Sequence, residues 1–161
     1  KNRVIRFKKL FQLLAICLIT GIIITPLFAI IEEIGLINME KHAFEDLIKN
    51  YSKFEIFMIA AVAAPIFEEL IFRSPLTLFK KPKTFKVAFY AFTLVFGFIH
   101  ITNFEMTQNV LLLSPILVLP QILLGGYLGF IRVRYGLIWS IGLHALYNGI
   151  LVFISFFTDI S

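Results

Sequence analysis

The sequence predicts an all-α membrane protein, a polytopic bundle of about five transmembrane helices with one amphipathic helix at the membrane interface. Hydrophobic residues make up 59% of the 161 positions and charged residues 16%, whereas soluble domains are closer to half apolar and a quarter charged. The apolar residues lie in long runs without charge, and a helix needs about 20 such residues to cross the hydrocarbon core. We therefore expect an integral, multi-pass membrane protein with a single transmembrane helical domain over residues 1–161.

The predicted spans follow five apolar runs, at residues 10–31, 54–79, 87–102, 110–131 and 137–157. Only the second run is interrupted by charged residues, Glu68, Glu69 and Arg73. Between the first two runs, residues 41–53 place apolar side chains at helical spacing among charged ones. This pattern predicts an amphipathic helix on the membrane surface, with His42 exposed to solvent.

The basic residues indicate the orientation of these helices. With the N terminus in the cytoplasm and the C terminus outside, the cytoplasmic segments contain 12 of the 15 lysines and arginines, as the positive-inside rule requires. The outer segments keep Lys41, Lys49 and Lys53 and most of the acidic residues. Because the basic residues lie beside apolar runs, the net charge of +5 indicates a lipid bilayer rather than nucleic acid as the partner. A bacterial-type plasma membrane is the expected location.

Ionisable side chains inside a bilayer are costly, so those within the spans are candidates for function. Helical rise places four polar residues from three spans near the middle of the membrane: Glu68, His100, His144 and Asn148. This depth requires the second helix to continue past Arg73 to the lysines that follow. A helix that ended at Arg73 would separate Glu68 from His100 by roughly 10 Å.

A carboxylate and two imidazoles in a dry interior can carry out hydrolysis. A buried glutamate such as Glu68 suits a general base, and His144 and Asn148, one turn apart, can donate hydrogen bonds to an oxyanion. Two histidines and a glutamate are also a zinc ligand set. Since the His-Glu-x-x-His helix of common zinc proteases is absent, the pattern does not require a metal.

Other residues in the spans have simpler structural interpretations. Glu69 and Arg73 are four residues apart, so they share a helix face and can pair. Gly125 and Gly129 form a Gly-x-x-x-Gly pair, which predicts close helix packing. Gln121 is a further polar residue at depth. The prolines inside the spans are expected to kink helices or to free backbone carbonyls, and Cys17, the single cysteine, excludes an intramolecular disulfide.

Three short motifs occur in order on separate predicted helices: Glu-Glu-x-x-x-Arg at 68–73, Phe-x-x-x-His at 96–100 and His-x-x-x-Asn at 144–148. Each motif is weak alone, but the three together at matched depth are specific. In this order they resemble the CPBP family, which contains the CAAX prenyl endopeptidases and bacteriocin-processing proteins and is also called the Abi family. The resemblance covers roughly residues 54–157.

The resemblance implies an intramembrane endopeptidase that hydrolyses a peptide bond in a membrane-associated or lipidated peptide or protein. In the family's scheme Glu68 is the base, and His100 helps it to activate water. His144 and Asn148 would stabilise the oxyanion. We favour this scheme without a metal or other cofactor, because each polar residue then has a role. The alternative is a metal-dependent enzyme in which Glu68, His100 and His144 would hold zinc.

The resemblance also implies that Glu69 and Arg73 shape the site through their ion pair. Many family members have about eight helices, whereas five are predicted here. Two non-proteolytic functions stay open from the sequence, a membrane immunity or scaffold protein with a relic site, and a proton or ion pathway. A CAAX-type lipidated C terminus and a bacteriocin-like peptide are both compatible substrates, and the sequence sets no oligomeric state.

Overall fold

The computed structural model describes residues 2–157, and within this range all regular elements are helices. The α-helices are α1 (Asn2–Glu33), α2 (Ala43–Asn50), α3 (Lys53–Phe57), α4 (Ala64–Phe72), α5 (Pro82–Ile99), α6 (Gln108–Leu117), α7 (Leu119–Tyr135) and α8 (Leu137–Ser155). Short 3-10 helices occupy Met39–Lys41, Ser74–Leu78 and His100–Asn103, and a π-helix occupies Met58–Ala63. Lys1, one of the basic residues used for the predicted orientation, lies outside the described residues.

The all-α membrane bundle predicted from the sequence is confirmed. Within residues 2–157, four helical stretches are long and apolar enough to cross a membrane: Arg3–Glu33, Pro82–Asn103, Gln108–Tyr135 and Leu137–Ser155. They correspond to the first, third, fourth and fifth predicted spans. The second predicted span, 54–79, is a series of shorter helices, so the count of five spans stays a prediction.

The outer surface of the bundle is apolar where a lipid bilayer would cover it. Ile22 and Ile23 on α1 are each 71% exposed, and water would be a poor solvent for such a surface. The backbone groups of these residues are satisfied inside the helix, as a lipid environment demands. The chain is an integral membrane protein.

The second span is irregular around Pro65. Through the π-helical segment the hydrogen bonds run five residues back, and the N–H of Ala64 donates to the carbonyl of Ile59. In the same register, residue 65 would donate to the carbonyl of Ala60, but residue 65 is a proline and has no N–H. The carbonyl of Ala60 is therefore left for a side chain to satisfy, as a buried carbonyl requires.

The α-helical part of this span ends at Phe72 rather than at the lysines. The chain nevertheless stays helical beyond α4, through the 3-10 segment Ser74–Leu78. The condition under which Glu68 and His100 were expected to miss each other is therefore not met, and Glu68 Oε2 lies 3.9 Å from His100 Nε2.

Glycines allow α5 and α7 to pack closely. A Cβ atom on Gly97 would lie 3.1 Å and 3.2 Å from the backbone N and Cα of Ile122. A Cβ on Gly129 would lie 2.6 Å from the Phe89 ring, and one on Gly125 would also contact side chains of neighbouring helices. The prediction that Gly125 and Gly129 serve close helix packing agrees with these contacts.

We expect Gly97→Ala to destabilise the bundle by about 1–3 kcal/mol, because the added methyl group meets the backbone of Ile122 and cannot be accommodated by a side-chain rotation. Gly126→Ala is the matched control, since its Cβ would meet nothing within 4 Å. Thermal unfolding of the purified protein in detergent should show a lower midpoint for Gly97→Ala alone. Equal midpoints for the two variants would contradict the close α5–α7 packing.

Candidate active site

Glu69 is the most buried charge at the site, with 0% of its side chain exposed. Its Oε1 atom lies 3.1 Å from Nδ1 of His144 and 3.7 Å from Nε of Arg73, and its Oε2 atom accepts a hydrogen bond from the hydroxyl of Ser140. Ser140 and His144 are one turn apart on α8. The Glu69 carboxylate therefore joins α4 to α8 and orients the His144 ring.

Arg73 is 2% exposed and packs its guanidinium over the Phe96 ring, with Cζ 3.8 Å from the ring centroid. Such a cation–π contact stabilises a desolvated cation. Among the described residues, neither terminal nitrogen of Arg73 has a hydrogen-bond partner. A Cβ on Gly125 would lie 3.2 Å from Arg73 Nη2, so this glycine leaves room for the guanidinium. The ion pair predicted between Glu69 and Arg73 is present in the structure.

Phe96 is fully buried and positions both site histidines. Its ring meets the rings of His100 and His144 edge to face, at centroid distances of 4.9 Å and 5.8 Å. Its carbonyl lies 2.7 Å from Nδ1 of His100. A carbonyl can only accept, so Nδ1 of His100 carries the proton and Nε2 is left with a lone pair. One phenylalanine thus fixes both the position and the tautomer of His100.

Glu68 lies about 100° around α4 from Glu69, and its side chain is 27% exposed. Its Oε2 atom is shielded and has no hydrogen-bond partner among the described residues. Nε2 of His100 lies 3.9 Å from this oxygen, and Nε2 of His144 lies 3.8 Å from it. These distances are too long for direct hydrogen bonds. The carboxylate therefore faces two imidazoles across gaps that a small molecule such as water can bridge.

Asn148 binds the irregular part of the second span. Its Nδ2 atom donates to the carbonyl of Ala60 at 2.9 Å, the carbonyl that Pro65 leaves without a backbone donor. The amide has a second N–H that this contact does not use. Asn148 therefore fixes α8 against the π-helical segment and keeps one donor for another partner.

A cavity of about 440 Å³ lies beside these side chains. All four predicted site residues, Glu68, His100, His144 and Asn148, contribute to its wall. Gln121 of α7 lines it as well, and its Oε1 atom is shielded without a hydrogen-bond partner in the described part of the chain.

The prediction that His42 is simply solvated is wrong. His42 is half-buried and lines the same cavity. Its Nδ1 atom caps α2 by accepting from the N–H of Phe44, and its ring packs edge to face on Phe104 at 4.8 Å. Burial, with a smaller effect from the nearby His100, lowers the pKa of His42. At neutral pH it is therefore an uncharged wall residue.

Glu68, His100 and His144 provide donor atoms whose type and spacing can be compared with those of a zinc site. Two imidazole nitrogens and a carboxylate suit zinc chemically. A tetrahedral ion with bonds of about 2.0–2.1 Å holds neighbouring ligand atoms about 3.3–3.4 Å apart, whereas the distances from Glu68 Oε2 are 3.8 Å and 3.9 Å. Within residues 2–157, no group of three His, Cys, Asp or Glu side chains meets the geometry for a metal ion. These donor atoms are therefore spaced more widely than tetrahedral zinc ligation requires.

The sequence interpretation missed Ser140 and Phe96 as parts of the site. A signal for Ser140 is its spacing, because Ser140, His144 and Asn148 follow each other at four-residue intervals and form one polar stripe on a mainly apolar helix. Phe96 belongs to the Phe-x-x-x-His motif, but in a chain with 19 phenylalanines nothing local distinguishes it from its neighbours.

The site and the fold together define a class, an α-helical membrane protein with a buried Glu/His centre. The family described as type II CAAX prenyl endopeptidase Rce1-like matches residues 50–150, which is more than half of the chain and contains the site from Glu68 to Asn148. The chain belongs to this family, and the resemblance predicted from the three motifs is confirmed. Membership places it among the CAAX-type intramembrane proteases in general. No curated protein and no solved structure matches the chain.

We expect Ser140→Ala to lower the stability by about 1–3 kcal/mol, because the buried Glu69 carboxylate loses a hydrogen-bond donor that nothing replaces. Ser155→Ala is the matched control on the same helix, since that hydroxyl donates only to the carbonyl of Val152 near the end of α8. Thermal unfolding in detergent measures both variants. If Ser140→Ala unfolds like Ser155→Ala, the Glu69–Ser140 contact does not stabilise the bundle.

Proposed function

We propose that this protein is an intramembrane endopeptidase that hydrolyses a peptide bond of a membrane-associated or lipidated peptide or protein. The catalytic unit is the core at 54–157 of a single transmembrane domain. The observation that carries the proposal is the position of Glu68, whose shielded Oε2 atom has no hydrogen-bond partner within residues 2–157 and faces Nε2 of both His100 and His144. A carboxylate that is kept without a partner in a cavity is arranged to act on something that enters it.

Water activation follows from the tautomer of His100. Its Nε2 lone pair and the Glu68 carboxylate are both acceptors, and they lie 3.9 Å apart. A water between them donates one proton to each and keeps a lone pair for attack. When that lone pair attacks the scissile carbonyl carbon, Glu68 takes the proton and acts as general base. The 27% exposure of the Glu68 side chain leaves it accessible from the cavity.

Oxyanion stabilisation is assigned to Asn148 and His144. Asn148 keeps one amide N–H after its bond to Ala60. His144 donates Nδ1–H to Glu69, and it lies between two carboxyl groups, so its protonated form is paired on both nitrogens. The proton that Glu68 takes from water can pass to Nε2 of His144, 3.8 Å away. Nε2–H of His144 then donates a hydrogen bond to the oxyanion, and His144 finally transfers this proton to the leaving nitrogen as the carbonyl re-forms and the C–N bond breaks.

Glu69 and Arg73 are positioning residues in this scheme. Glu69 holds the Nδ1 side of His144, which keeps Nε2 directed at the cavity. Arg73 neutralises Glu69 and packs on Phe96, which in turn contacts both histidines. Neither residue lines the cavity, so both act through the side chains that do.

We expect Glu68→Gln to abolish cleavage of a membrane-associated peptide, because glutamine cannot accept the proton of the attacking water. The loss should reach at least about 100-fold in kcat, the usual contribution of a general base. Glu33→Gln, an exposed glutamate at the end of α1, is the control and should keep full activity. Both variants must unfold at the temperature of the unmodified protein. Retained cleavage by a folded Glu68→Gln protein would refute the role of Glu68.

We favour a metal-free reaction, in which each polar side chain at the site has a role. The expected result is a purified, active protein that contains less than stoichiometric zinc by elemental analysis and keeps its activity in a strong chelator. Zinc bound at one ion per chain and lost together with activity would instead assign Glu68, His100 and His144 as ligands, after a contraction of the site by about half an ångström.

A further inference from the structure

The two ends of the bundle carry opposite charge. One end, here called the acidic end, consists of residues 32–55 and 101–107 and contains seven acidic residues and three lysines: Glu32, Glu33, Glu40, Glu45, Asp46, Glu55 and Glu105, with Lys41, Lys49 and Lys53. The other, here called the basic end, consists of residues 3–9, 80–86 and 132–134. It contains ten basic residues and no acidic one: Arg3, Arg6, Lys8, Lys9, Lys80, Lys81, Lys83, Lys86, Arg132 and Arg134.

Contacts across the chain show that the segments of the acidic end meet in space. Lys41 Nζ forms a 2.8 Å ion pair with Glu105, which joins the segment after α1 to the segment after α5. Lys53 Nζ donates to the carbonyl of Phe156 at 3.1 Å, which adds the end of α8. These contacts place the carboxyl ends of α1, α5 and α8 together.

The basic end is joined in the same way on the opposite side. The rings of Phe7 on α1 and Trp139 on α8 pack edge to face at 5.0 Å. Arg132 Nε donates to the carbonyl of Arg73 at 3.1 Å. The amino ends of α1 and α8 therefore lie together, away from the acidic end.

The site cavity extends to the acidic end. Its lining includes Met39, His42, Glu45 and Leu47 of the acidic end together with Glu68. None of the residues that line it belongs to 3–9, 80–86 or 132–134. A substrate that enters along the amphipathic helix α2 thus reaches Glu68 without passing the basic end.

We propose that the substrate reaches this cavity from the non-cytoplasmic face of the membrane, as an apolar peptide segment with basic residues beside it. The positive-inside rule places the ten basic residues in the cytoplasm, so the acidic end and the cavity mouth face outward. The inference rests on the proposed function and deepens it, because it selects exported or outward-facing peptides over substrates presented in the cytoplasm.

Glu45 gives the basic residue of such a substrate a partner. It is half-buried and lines the cavity. Among the residues that the structure describes, no lysine or arginine forms an ion pair with it. A partly desolvated carboxylate in a surrounding excess of negative charge favours a cationic group on the substrate. Glu45 is therefore the specificity-determining residue of this proposal.

The orientation is tested by labelling in whole cells with a membrane-impermeant maleimide. Met106→Cys introduces a thiol at the exposed acidic end, and Thr84→Cys introduces one at the exposed basic end. The native Cys17 is buried, so the unmodified protein gives the background. We expect Met106→Cys to react in intact cells and Thr84→Cys to react only after the membrane is permeabilised. The reverse pattern would overturn the proposal.

Substrate selection is tested with purified protein and two synthetic apolar peptides, one flanked by lysines and one by glutamates. We expect the lysine-flanked peptide to be cleaved in preference, and Glu45→Gln to raise KM for it about two- to fivefold while kcat is kept. Asp46→Asn, which removes an exposed neighbouring carboxylate that does not line the cavity, should keep the KM of the unmodified protein. An unchanged KM in Glu45→Gln would refute the role of Glu45.

The same assay separates this inference from the proposed function. If the unmodified protein cleaves neither peptide in detergent, where both ends of the bundle are accessible, the proposed function fails. If it cleaves a peptide and Glu68→Gln does not, the proposed function holds, and the labelling pattern then decides the side of the membrane. Protein reconstituted with the acidic end outward should cleave peptide added outside, and protein in the opposite orientation should not.

Discussion

The buried carboxylate of Glu69 is the constraint on which the rest of the site depends. An ionised group with no exposed surface must be paired, and removing one partner of such a pair typically costs about 3–5 kcal/mol. Its partners come from its own helix, through Arg73, and from α8, through Ser140 and His144. The pairing of Glu69 therefore fixes how α4 meets α8, and it sets the tautomer of His144 at the same time. Arg73 connects this arrangement to α5, because its guanidinium packs on Phe96 of that helix. Phe96 in turn contacts both histidines.

A second constraint is that backbone carbonyls inside a membrane must find hydrogen-bond donors within the protein. A broken helix is tolerated inside a membrane only where another group satisfies the freed carbonyls. The π-helical turn and Pro65 free the carbonyl of Ala60, and Asn148 satisfies it. An asparagine deep in an apolar helix thus has a structural partner and keeps a donor for the cavity. The irregular second span is therefore part of the site, since a regular helix would leave Asn148 without this contact.

Much of this arrangement can be predicted from the sequence, and the features that were not predicted have identifiable physical reasons. The apolar runs predict the long helices because crossing a bilayer leaves few alternatives, and Glu68, His100, His144 and Asn148 stand out because each is costly in lipid. The end of α4 at Phe72 was not predicted, since a hydropathy pattern does not distinguish α-helix from 3-10 or π-helix. His42 and Ser140 were missed for another reason. Their roles come from contacts with residues distant in sequence, Phe104 and Glu69. The four-residue spacing places Ser140 on the same helix face as His144 and Asn148, but it does not identify the carboxylate to which Ser140 donates.

Glu68 and Glu69 are neighbours in sequence, yet their surroundings assign them opposite roles. Glu69 points into the protein with no exposed surface, and its carboxylate pairs with Ser140, His144 and Arg73. Glu68, about 100° around the helix, points into the cavity, where its Oε2 atom has no donor among the described residues and two imidazole nitrogens face it. A saturated carboxylate can orient its neighbours but cannot react, whereas an unsaturated one can take a proton. The two glutamates of the motif therefore have separate roles. The Glu69 carboxylate holds His144 in place, and Glu68 uses that histidine in the reaction.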